Sequence, residues 1–214
     1  MPTKKPMIRR EIMNEDKKVL RHKKSMEKQK ANVDHSIAEA TDERGLVLLL
    51  TGDGKGKSSS AFGMAIRSLG YDFKVGIIQF IKGVQLSGEE IFIRDKHPEV
   101  YFHQMGTGFT WDTQDRTGDI QAAEESWKHA EKLLSDPSIY LVILDELTYM
   151  LSFKYLDEEK VLEAIRSRPR EQTVVVTGRG GGSAIRELAD TVSEIKDVKH
   201  AFNAKMKARK GVDY

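Results

Sequence analysis

The stretch TGDGKGKSSSA, residues 51–61, limits what this chain can fold into more than any other. It follows the apolar run GLVLLLT (45–51) and leads into SSSAFGMAIRSLG (58–70), which reads as a helix ended by Gly70. A continuous apolar run of that kind is expected of a strand buried on both faces of a parallel sheet. Strand, glycine loop and helix in this order are the setting of a phosphate-binding loop, whose pattern is G-x-x-x-x-G-K-[ST]. Gly56, Lys57 and Ser58 supply the end of that pattern, but Thr51 stands where its first glycine belongs. The glycines come later, at Gly52 and Gly54. The loop is that of an ordinary nucleotide hydrolase with a flaw, or one reshaped for other chemistry on ATP.

The physics of such a loop is direct. Small residues let backbone N–H groups close around phosphate oxygens. A helix starting near Lys57 turns its positive end toward the same anion. Lys57 adds a full charge, Lys55 is a second cation, and the Ser58 hydroxyl can face Mg²⁺. The candidate nucleotide-binding set is Gly52, Asp53, Gly54, Lys55, Gly56, Lys57, Ser58 and Ser59.

Further strands are expected at KVGIIQF (74–80), VYFHQM (100–105), YLVILDE (140–146) and QTVVVTG (172–178). Helical spacing covers 119–135, 157–168 and 183–189, and DTVSEIKDV (190–198) suits an edge strand. This alternation implies an α/β fold. The sheet is expected to be mainly parallel, P-loop NTPase-like (RecA-like), with helices on both faces.

LVILDE ends a buried strand on Asp145 and Glu146. Behind a phosphate-binding loop, such a pair can hold Mg²⁺ or Mn²⁺ at the carboxyl edge of the sheet. The sequence does not say which of the two touches the metal. TGRGGG (177–182) also ends a strand: Arg179 can meet a phosphate there, and its glycines read as a plain turn. Arg67, on the first helix, either reaches the ligand or faces solvent. GTGFTWDTQ (106–114) places Phe109 and Trp111 in a loop, as core residues or as the wall of a large flat ligand.

Residues 1–43 differ from the rest and form a separate segment before the domain at 44–214. They are charged and free of glycine, and a helix from Glu11 to Ala40 has sparse apolar positions (Ile12, Met13, Val19, Leu20, Met26, Val33, Ile37). Such a helix needs a surface to lie on. It is either a solvated arm or a lid over bound substrate. Residues 1–44 hold 12 Lys/Arg against 8 Asp/Glu, so the basic excess of a chain at +2 lies wholly there. That is too little to imply nucleic acid, and no aromatic residue in the segment could stack on bases. Having no cysteine removes thiolate metal sites and fits a reducing cytoplasm. No apolar run approaches a membrane span, and the basic N-terminus has no apolar core of a secretory signal.

TGDGKGKSSSAFGMAIRSLG, VGIIQFIKG, GTGFTWDTQ, LVILDELTYM, TVVVTGRG, LADTVSEI and VKHAFNAKMKARKGVDY occur in an order that resembles the P-loop ATP:corrinoid adenosyltransferases. The resemblance runs from about residue 44 to 214. Thr51 is what that family has; Ser58 stands where it often has Thr, and Gly180 to Gly182 are less standard. The resemblance implies that Co(I) of cob(I)alamin or a precursor corrinoid attacks C5′ of ATP and expels triphosphate. Lys55, Lys57, the loop and Mg²⁺ would stabilise the leaving group, with ATP reversed relative to hydrolases. Phe109 and Trp111 would press on the corrinoid and keep an axial ligand off cobalt, easing its reduction. The N-terminal segment would be a helical lid. A reduced flavin or flavodoxin would be the electron donor, and a homodimer is expected. The competing reading is a RecA-like P-loop ATPase or kinase. It accounts for the loop and Asp145-Glu146 but not for Thr51, Phe109 or Trp111.

Overall fold

A computed structural model describes residues 5–81, 86–106 and 115–214, with side chains from residue 17 onward. Six strands form: β1 Val47–Thr51, β2 Val75–Gln79, β3 Tyr101–Gln104, β4 Leu141–Asp145, β5 Thr173–Thr177 and β6 Thr191–Glu194. The helices are α1 Lys5–Glu39, α2 Lys57–Leu69, α3 Gly88–Lys96, α4 Arg116–Leu134, α5 Leu147–Ser152, α6 Glu158–Arg166 and α7 Gly182–Leu188. A 3₁₀ turn follows at Ala201–Ala204.

The strands make one sheet in the order β3-β2-β4-β5-β1-β6, with every pair parallel. Side-chain alternation sends successive residues to opposite faces. Along β4, Val142 and Leu144 enter one core, and Leu141 and Ile143 enter the other. In β5, Val174 and Val176 part from Val175 in the same way. The first core takes Trp127 of α4, Met150 of α5, Leu162 of α6 and Ile185 of α7; the second takes Phe62 of α2 and Ile93 of α3. A sheet covered on both faces needs strands apolar at every position, which is why these runs do not alternate with polar residues. Each such side chain contributes about 1.5–3 kcal/mol by leaving water.

Parallel strands place all their carboxyl ends at one edge, and β5 lies between β1 and β4. The loops after β1, β4 and β5 therefore share one crevice. The segment after β6 joins them, since Ile195 N donates to Thr51 O at 2.8 Å and Gly54 N to Ile195 O at 2.8 Å.

Two helices were not expected from the sequence. Helix α3 carries its own start signal, Ser87 accepting from Glu90 N at 3.2 Å. Helix α5 is only six residues long and follows β4 without a linker beyond Glu146. Helix α1 begins at Lys5 rather than at Glu11.

The chain divides into two units, Met1–Glu43 and Arg44–Tyr214. Considered alone, α1 leaves Val19, Leu20, Met26, Val33 and Ile37 exposed. Among the described residues no helix is long and apolar enough to cross a membrane.

Candidate active site

A cavity of 860 Å³ opens at the carboxyl edge of the sheet. The loop after β1 forms its floor, from Asp53 to Ser59. Gly52 lies behind that floor. It has φ +97°, and a Cβ there would stand 2.4 Å from Ile195 O, so the backbone passes too close for any side chain. Helix α2 starts at Lys57 behind Gly56, and among the described residues no side chain caps it. Helices α3, α4 and α6 differ: Ser87, Asp115 and Asp157 each accept from a first-turn N–H. The first N–H groups of α2 are thus left for a ligand, and they carry the positive end of the helix.

Lys57 is buried, and its Nζ donates to Gly54 O at 2.7 Å. Burial lowers its pKa, and Arg179 lowers it further; Glu146, Asp53 and Asp145 oppose them. Lys55 is more open and pairs with Asp213 at 2.6 Å. Ser58 and Ser59 line the cavity.

The two carboxylates after β4 have different situations. Asp145 is buried with both oxygens engaged: Thr177 Oγ1 donates to Oδ1 at 2.7 Å and Gln79 Nε2 to Oδ2 at 2.9 Å. Glu146 leaves the strand in a left-handed conformation, φ 59°. That conformation is strained for a non-glycine residue and turns the chain straight into α5. Its Oε2 is buried without a hydrogen-bond partner among the described residues. Burial pushes its pKa up to about 7, with Asp145 adding to the rise.

Arg179 lines the same cavity from the turn after β5. That turn is not loose. Thr148 Oγ1 donates to Arg179 O at 2.8 Å, and a Cβ on Gly178 would fall 2.0 Å from that hydroxyl. Thr51 Oγ1 donates to Gly180 O at 2.9 Å.

The structure thus brings together Asp53, Gly54, Lys55, Gly56, Lys57, Ser58, Ser59, Asp145, Glu146 and Arg179. Arg67 is not among the lining residues; it sits exposed in the last turn of α2, about 15 Å along the axis from Lys57. Phe109 and Trp111 lie outside the described residues.

Sequence reasoning missed several cavity residues: Gln79, Tyr149, Glu89 and the Gly211–Tyr214 turn. Burial raises the Tyr149 pKa, with Glu146 adding to it. Gln79 had a signal, being a polar residue that ends the apolar run VGII. The Gly211–Tyr214 turn had none, because nothing local places it beside the loop. Three cations (Lys55, Lys57, Arg179) and five carboxylates (Asp53, Glu89, Asp145, Glu146, Asp213) line the cavity.

A strand, a glycine loop, a helix with an open N-terminus and an acidic pair on a nearby parallel strand define a P-loop nucleotide-binding protein. The family ATP:corrinoid adenosyltransferase BtuR/CobO/CobP matches residues 43–214. The corrinoid adenosyltransferase of Pseudomonas aeruginosa is 55% identical over 203 residues, covering 94% of this chain and 100% of that one. That of Escherichia coli K12 is 49% identical, covering 91% of this chain and 98% of that one. Corrinoid adenosyltransferase CobA of Salmonella typhimurium is 46% identical with the same coverage, 91% and 98%. The chain belongs to the ATP:corrinoid adenosyltransferase family.

Proposed function

We propose that the cavity holds the triphosphate of ATP and presents C5′ to the cobalt of a corrinoid. The reaction follows from the family: the chain is a transferase that moves the 5′-deoxyadenosyl group of ATP to a corrinoid. The observation that supports this use of the site is one cavity collecting Lys55, Lys57, Arg179 and the uncapped start of α2.

The cobalt electron pair of Co(I) forms the Co–C5′ bond as the C5′–O bond breaks, and triphosphate leaves with that bond's electrons. A metal nucleophile needs no general base. The chain's residues then have two tasks, to orient C5′ and to receive the charge of the leaving triphosphate. The loop N–H groups and Lys57 face the phosphates, Lys55 moves onto them from Asp213, and Arg179 meets them from the turn after β5.

Mg²⁺ fits the residues present. Glu146 Oε2 is buried and has no hydrogen-bond partner among the described residues, while both oxygens of Asp145 are already engaged. Glu146 would hold the ion with the Ser58 hydroxyl, and Asp145 would steady the strand end behind it. Among the described residues no cluster of three His, Cys, Asp or Glu side chains forms a metal cage. Carboxylates outnumber cations around the cavity, so a bound cation would also offset the charge of an incoming triphosphate. When bound, it would supply charge neutralisation at the phosphates.

In this reading Phe109 and Trp111 would press on the corrinoid, and residues 1–43 would serve as the lid. Reduced flavin or flavodoxin supplies the electron for Co(I), the enzyme works as a homodimer, and the absence of cysteine suits a reducing cytoplasm.

The test is an anaerobic assay with Mg-ATP and chemically reduced cob(I)alamin, following the corrinoid spectrum and the phosphate products together. Adenosylcobalamin with matching triphosphate is expected. ADP and phosphate with an unchanged corrinoid spectrum would sink the reading and favour a plain ATPase.

A further inference from the structure

Arg179 sits in a turn that has little shape of its own. Gly178, Gly180, Gly181 and Gly182 surround it, all with positive φ. Glycine visits both halves of the backbone map at nearly equal cost, so such a run has no intrinsic preference for one path. Among the described residues no hydrogen bond or ion pair fixes the Arg179 side chain. Its aim is therefore set through the backbone of the turn.

Two buried threonines hold that backbone, one on each side. Thr148, on α5 just past the acidic pair, donates to Arg179 O at 2.8 Å. Thr51, at the end of β1 just before the glycine loop, donates to Gly180 O at 2.9 Å. Both residues are fully buried. Sheet register brings Thr51 there, since Leu50 pairs with Thr177 and Gly178 N donates to Leu50 O at 3.2 Å. The turn is thus tied at once to the element that begins the phosphate loop and to the element that follows the acidic pair. A glycine at position 51, as the common phosphate-loop pattern has it, could supply no such hydroxyl.

We infer that Thr51 and Thr148 are positioning residues for adenosyl transfer, clamping the glycine turn so that Arg179 points at the triphosphate. This rests on the reading of Arg179 as a phosphate contact. The departure at position 51 then has a physical purpose, the fixing of a cation carried by a distant strand.

The test is a double-mutant cycle in the full chain. Thr51→Val, Thr148→Val, Arg179→Ala and the paired variants are compared for Mg-ATP affinity by calorimetry. The kcat and the separate KM values for ATP and cob(I)alamin are also measured. Each valine variant is expected to weaken ATP binding about three- to tenfold, the scale of one lost hydrogen bond. KM for the corrinoid should stay unchanged, Thr51→Ser should recover the affinity, and neither valine should add to the loss in Arg179→Ala. A weakened Arg179→Ala to which Thr51→Val adds its full effect overturns the clamp alone. An Arg179→Ala variant that binds ATP like the parent overturns both the clamp and the phosphate reading of Arg179. Thr148→Val runs the cycle from the other side of the turn, so a Thr51→Val chain that fails to fold leaves the test intact.

Discussion

The Thr177 hydroxyl donates to Asp145 Oδ1 at 2.7 Å across the β4–β5 pair. Thr177 Oγ1 in turn accepts from Glu146 N at 2.9 Å, so one hydroxyl fixes the carboxylate before the bend and the backbone at the bend. Thr177 and Asp145 are buried, and an orphaned donor or acceptor away from water is costly.

Thr177→Val keeps the shape but leaves Asp145 Oδ1 and Glu146 N unpartnered. The expected loss is about 1–3 kcal/mol of stability. Thr177→Ser should restore most of it. Urea unfolding of the three proteins measures the difference, and an unchanged midpoint in the valine variant would count against this account.

Glu146 makes the nucleotide-free protein less stable as pH rises from about 4.5 to about 7. Its native pKa is raised to about 7 from 4.5, so the native state holds the proton more tightly than the unfolded chain does. The sign follows: Glu146 costs nothing below pH 4.5, costs progressively more as pH rises, and costs its full amount above about 7. That amount is on the order of 3 kcal/mol. Glu146→Gln should therefore stabilise the metal-free, nucleotide-free protein at pH 8 and change little at pH 4.5. Equal effects at both values, by denaturant unfolding with a chelator present, would contradict the shift.

Asp190 works in the opposite sense at acid pH. Arg44 donates to its Oδ2 at 2.9 Å and Val47 N to the same oxygen at 2.8 Å. The Arg44 hydrogen bonds bring its pKa down to about 2 from 3.8. A depressed carboxylate stabilises the fold above its unfolded pKa, and this is lost as pH falls from 3.8 through about 2. The pair is partly exposed, so screening holds the contribution to about 1 kcal/mol. Asp190→Asn should cost that amount at pH 7 and little of it at pH 2, read from unfolding midpoints.

Gly52→Ala tests the loop's close approach to the β6 side. The new Cβ would meet Ile195 O at 2.4 Å, in a backbone with φ +97°. Strain of about 1–3 kcal/mol is expected. The shifted loop should also lose Mg-ATP affinity. Calorimetry and thermal unfolding on the same sample separate the two effects, and parent-like values in both would refute the packing argument.

Local pattern made the frame readable. A residue buried on both faces must be apolar whatever its partner, so GLVLLLT and YLVILDE declared strands by themselves. The loop and helix that follow Thr51 were equally plain, because phosphate binding there uses contiguous backbone. Helix α3 was also legible in principle: Ser87 and Glu90 have the spacing of a helix start. Arg67 shows the limit, since a charged residue on an amphipathic helix does not reveal which end of the helix faces the ligand.

Tertiary structure decided what depends on residues far apart in the chain. Asp145 and Glu146 are neighbours of like chemistry, and only Thr177 and Gln79, brought alongside by β5 and β2, tell them apart. The sequence marks Thr51 as a departure from the common loop pattern, and only sheet order sets its hydroxyl against Gly180, 129 positions away. Asp213, 158 positions from Lys55, pairs with it in the folded chain. The sequence by itself determined where the chain is buried and where its backbone must bend, because those are properties of short segments. Which side chain each buried polar group meets was settled by strand order, because hydrogen bonds act over about 3 Å in space and are indifferent to distance along the chain.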